Sequence, residues 1–76
     1  MNNKNKIILK GTIIQRIRSL DFQVQLDNGT LIIGTKSKRF RVSNSHLVQG
    51  DKVSVEIPLN QTKMERGDII GFAEKN

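Results

Sequence analysis

The chain has no cysteine, no tryptophan and no tyrosine, and only one proline and one histidine among its 76 residues. Without thiols there is neither a disulfide to staple a small core nor a thiolate metal site, which suits a reducing compartment. A single histidine offers no converging ligand set, so neither a metal nor any other cofactor is expected. His46 also adjoins Ser45, and neighbouring residues do not share a face of a helix or strand, so a Ser–His nucleophile pair is geometrically poor. The seven carboxylates are scattered, with no pair placed for acid–base work. The expectation is a protein that is not an enzyme. The start, MNNKNKIILKGT, has no apolar run long enough for a signal peptide or membrane span. No segment patterns as a useful amphipathic helix, so no membrane partner is expected either.

What is present is positive charge, unevenly spread. Thirteen Lys and Arg against seven Asp and Glu give a net charge of +6. Residues 1–42 hold nine basic and two acidic residues, a balance of +7, whereas residues 43–76 hold four and five, a balance of −1. A one-sided field of this kind attracts polyanions, nucleic acid above all. Seventy-six residues make one small domain with no room for a second core.

Asp21 to Gly34, DFQVQLDNGTLIIG, is the clearest local signal. Phe22, Val24 and Leu26 alternate with Gln23 and Gln25, the period of a half-buried strand. Asn28-Gly29 predicts a two-residue type I′ turn, and Thr30 to Ile33 returns as a second strand. Before this hairpin, Lys6 to Arg18 reads as one long first strand, bent or bulged at Gly11 and able to join two sheets. After it, Thr35 to Gln49 shows no clean period, and Ser43 or Asn44 is placed to cap a short helix. Lys52 to Ile57 alternates again, with Val53, Val55 and Ile57 inward, and Pro58 ends it. Pro58 to Gly67 is a polar loop, and Asp68 to Ala73 a last short strand. Phe22 and Phe72 are assigned to the core.

Five short strands with a short helix between the third and fourth is the order of a five-stranded OB-fold barrel, an all-β class. Residues 6–73 form that domain, 1–5 are expected to be disordered and 74–76 to be a flexible tail.

Lys36, Lys38, Arg39 and Arg41 put four cations within six residues with no acid among them. Phosphates need such dense donors, and the arginine fork can also stack on bases. Phe40, between two arginines, either stacks on an unpaired base or packs beneath the short helix. Lys10, Arg16 and Arg18 extend the patch if the first strand turns them to the same side. Gly29 to Ser37 approaches a phosphate-loop pattern, but Thr35 is one residue too many and strand formers fill the gap between glycines.

Leu9 to Ile14, Phe22 to Gly29, Gly50 to Glu56 and Arg66-Gly67, in this order and nearly this spacing, resemble bacterial and plastid-type translation initiation factor one, an S1-like OB-fold family. The resemblance spans residues 6–72. It implies a monomer that binds the small ribosomal subunit and its ribosomal RNA near the A site, beside the other initiation factors, in the cytoplasm or in the plastid stroma if organelle-encoded. Family RNA-contacting positions fall on Lys38, Arg39, Arg41, Asn44 and His46. Three of these depart from the usual residue: Lys38 stands for glycine, Asn44 for an aromatic and His46 for arginine. Asp68 stands for a usual arginine, and the Leu59–Glu65 loop is about two residues longer than the family's. The alternative is a general single-stranded RNA-binding protein or RNA chaperone of S1 or cold-shock type, against which stands the poverty in aromatic rings. A third is a small module whose basic face meets an acidic protein.

Overall fold

The computed structural model describes residues 5–42, 46–60 and 65–73. Five strands and one short helix follow in the order β1 (Lys6–Arg16), β2 (Asp21–Leu26), β3 (Leu31–Lys36), α1 (Lys38–Val42), β4 (Lys52–Pro58) and β5 (Arg66–Phe72). The strands close into a barrel in the order β1-β2-β3-β5-β4. All neighbours are antiparallel except β3 and β5, whose parallel seam completes the ring.

Alternation along each strand decides what faces inward. Phe22, Val24 and Leu26 from β2, Val53, Val55 and Ile57 from β4, and Ile13, Ile32 and Ile69 form one buried cluster. The expected long first strand does join two neighbours: Lys6 to Thr12 pair with β4, and Gly11 to Arg16 pair with β2.

Several local expectations are corrected. The bulge in β1 lies between Ile13 and Gln15 rather than at Gly11. Gly11 is instead a place of close approach, where a Cβ would stand 2.7 Å from Val24 Cγ1. The hairpin turn is not the two-residue type. Gly29 N–H donates to Leu26 O at 2.8 Å and Leu26 N–H to Thr30 O at 2.8 Å, which encloses the three residues Asp27 to Gly29. Gly29 takes a φ of 94°, the left-handed position that ends such a loop. Asn28 contributes through its side chain, whose Oδ1 accepts from Thr30 N–H at 3.0 Å.

Strand β5 begins at Arg66, two residues before the expected start, because Gly67 is already paired with Gly34 across the parallel seam. Pro58 is the last residue of β4 rather than the residue beyond it, opposite Lys6. The helix comes earlier than expected. Ser37 caps it, its Oγ accepting from Phe40 N–H at 3.2 Å, so the basic segment itself is helical. Ser43 and Asn44, the expected caps, lie outside the described residues. Asn5, assigned to the loose start, accepts from Leu59 N–H at 2.6 Å.

Candidate RNA-binding surface

The helix α1 follows β3 with a single residue between them, and three contacts fix where it points. Lys36 N–H donates to Leu20 O at 2.9 Å and Ser37 N–H to Ile69 O at 3.0 Å. The Phe40 ring then enters the core at 5 % exposure. Of the two readings of Phe40, packing beneath the helix is therefore the one observed, and a base has no access to its face. The other expected core aromatic is half outside: Phe72 is 51 % exposed, and its ring meets the edge of Phe40. Its place near the end of β5 leaves one side without a covering strand.

Lys36 Nζ lies 5.5 Å from the centroid of the Phe40 ring, a cation–π contact that holds this ammonium near α1. Lys38 and Arg39 are exposed. They line a groove of about 550 Å³ with Ser37 of the α1 approach, Ile8 of β1, Glu56 of β4 and Ile70 of β5. Arg41 belongs to the helix backbone, but its side chain, like all of Asn44, lies outside the described residues.

The remaining sequence-predicted residues fall elsewhere. Arg16 and His46, both exposed, line a second depression of about 520 Å³ with Gln15, Phe22 and Leu47 to Gln49. Arg18 turns back to Asp21, with nitrogen and oxygen 3.9 Å apart. Lys10 shares a shallow depression with Leu26, Asp27 and Asn28, beside the hairpin loop. The structure thus brings Lys38 and Arg39 together in one groove and Arg16 with His46 in another, sets Lys36 over the Phe40 ring, and leaves Lys10 by the hairpin.

Sequence reasoning missed the acidic and apolar walls of the α1 groove. The alternation that turns Val53, Val55 and Ile57 inward also turns Glu56 outward, and a signal of that kind was legible. That Ile8 and Ile70 lie beside α1 was not, because it depends on barrel closure. The outward face of β2 and β3, by contrast, carries Asp21, Gln23, Gln25, Leu31, Ile33 and Thr35 and no cation. Among the described residues no group of three or more His, Cys, Asp or Glu could hold a metal ion, and no helix is long and apolar enough to cross a membrane.

No family model matches the chain. A curated relative does: translation initiation factor IF-1 of Malacoplasma penetrans (strain HF-2) is 36 % identical over 70 residues, which cover 92 % of this chain and 94 % of the relative. The chain belongs to the translation initiation factor IF-1 family. The solution structure of translation initiation factor one from the Wolbachia endosymbiont (strain TRS) of Brugia malayi is also similar. It superimposes with a TM-score of 0.74 at 28 % identity, covering 93 % of this chain and 82 % of that one. The closed barrel with one short helix is thus the OB fold of IF-1, and the family gives the chain a role in translation initiation.

Proposed function

We propose that this IF-1 family member binds the small ribosomal subunit near its A site through ribosomal RNA and assists assembly of the initiation complex beside the other initiation factors. The observation that carries this reading is the short helix α1. Its first turn holds Lys38 and Arg39 with no acidic residue, both side chains reach solvent, and Lys36 stands just before it. Phosphate oxygens in folded RNA are met by donors of this density, and arginine adds a fork that also stacks on bases. Lys10, Arg16, Arg18, Arg41, Asn44 and His46 complete the proposed contact set. The protein acts as a monomer by binding, without a cofactor and without making or breaking a bond, in the cytoplasm.

The reading as a general single-strand RNA binder is weaker. Such proteins offer several rings to unpaired bases, and here two of the three phenylalanines are core residues at 3 % and 5 % exposure. The discriminating experiment is competition between free oligonucleotides and purified small subunits. A marked preference for the subunit, lost in an Arg39→Ala, Arg41→Ala variant that still folds, supports the proposal. Equal affinity for both ligands contradicts it.

A further inference from the structure

The groove beside α1 is not a plain phosphate site. Lys38 and Arg39 stand along it, but its other walls are Ile8, which is 59 % exposed, the half-buried Ile70 and the carboxylate of Glu56. A carboxylate repels a phosphate and accepts hydrogen bonds from N–H groups, so the groove joins phosphate donors, apolar walls and an acceptor. Those three elements match the three parts of a nucleotide: phosphate, base face and base edge. Among the described residues Glu56 pairs with Lys6, at 3.8 Å through Oε1, and with neither Lys38 nor Arg39. An ion pair that long and that exposed is weak, and it leaves acceptor positions on the carboxylate for an incoming group. The groove's volume of about 550 Å³ lies within the roughly 300–1,000 Å³ of small-molecule sites.

We infer that this groove takes one unpaired guanine of an RNA strand, with Glu56 as the residue that reads the base. Guanine carries N1–H and an exocyclic amino N–H side by side on its Watson–Crick edge, and the two point the same way. A carboxylate presents two oxygens that meet such a pair in parallel. Cytosine and adenine offer one amino group beside a ring acceptor that faces the carboxylate unfavourably, and uracil offers one imino N–H between two carbonyls. Ile8 and Ile70 contact the base, and Lys38 and Arg39 hold the flanking phosphates. This inference rests on the RNA-binding reading above and names what one part of that surface selects.

The test is fluorescence anisotropy with RNA hexamers at fixed salt: hexauridylate, and the same strand with one internal guanosine, inosine, cytidine or adenosine. The guanosine strand is expected to bind about five-fold tighter than hexauridylate, the lower end of what one bidentate base contact discriminates. Inosine, which lacks the amino group, falls between them. Glu56→Gln is expected to erase the preference while keeping or raising affinity for hexauridylate, since a like charge to phosphate is removed. A thermal melt of the variant confirms that it folds. Equal affinity for all strands, a preference for adenosine or cytidine, or a guanosine preference unchanged in Glu56→Gln overturns the inference. If that happens while binding to small subunits stays salt-dependent, only the base reading fails. Salt-insensitive subunit binding removes the reading beneath it.

Discussion

The rings of Phe40 and Phe72 meet edge to face, with centroids 5.4 Å apart and planes at 89°. One ring belongs to α1 and the other to the end of β5, so this contact ties the helix to the barrel. The position of Lys38 and Arg39 depends on it, since α1 has only five residues and is far below the length at which a helix holds by itself. Burial of one phenylalanine, then, sets where the cations stand.

Phe40→Ala should therefore cost about 3–4 kcal/mol in urea unfolding, as buried Phe-to-Ala changes do. Phe72→Ala, at a half-exposed ring, should cost about 1 kcal/mol. The double variant should show a coupling of roughly 0.5–1.5 kcal/mol, the value of an aromatic pair beyond its buried area. Strictly additive losses would mean that the two rings do not support one another.

Two glycines of the same strand make a matched test of the barrel seam. A Cβ at Gly67 would lie 2.6 Å from Val55 Cγ1 and 3.1 Å from Glu56 O, whereas a Cβ at Gly71 meets nothing within 4 Å. Gly67→Ala should destabilise by about 1–3 kcal/mol through overpacking. Gly71→Ala should be neutral or stabilise by up to about 1 kcal/mol, since glycine in a strand carries an entropic penalty. Thermal and urea denaturation of the pair would check this directly.

Much of this was legible in the residues. The alternation of Phe22, Val24 and Leu26, and of Val53, Val55 and Ile57, needs only period two to be read, and both sets are buried as expected. Asn28-Gly29 fixes the position of the turn but not its type, because a three-residue loop and a two-residue loop share the same composition signal. The cap signal at Ser43 and Asn44 points to a helix later in the chain than Lys38–Val42, where it lies. Its amphipathic signal is one residue, Phe40, and five residues are too few for a helical period to emerge. Phe72 looked like core because aromatic residues usually are, yet its exposure is set by where β5 ends. The site was legible as a run of charge and not as a surface. That none of Lys10, Arg16 and Arg18 lines the α1 groove follows from the bulge after Ile13 and the closure of the barrel, neither of which is written in local pattern.

The Lys52–Asp27 ion pair links the start of β4 to the hairpin loop, with both side chains about half exposed. Exposed pairs contribute little, so Asp27→Asn should cost under about 1 kcal/mol, and the difference should vanish in molar salt. A larger, salt-independent loss in urea unfolding would assign Asp27 a structural role in the loop instead.

The central claim, that exposed cations on α1 meet phosphates of the small subunit, is tested most directly by the salt dependence of binding. Affinity for purified small subunits should be measured from low to physiological salt for the native protein and for Lys38→Ala, Arg39→Ala. The native plot of log affinity against log salt should fall steeply, and the variant should bind more weakly with a slope shallower by about 1.4–1.8, two phosphate contacts' worth of released counterions. Identical slopes for the two proteins would contradict the account.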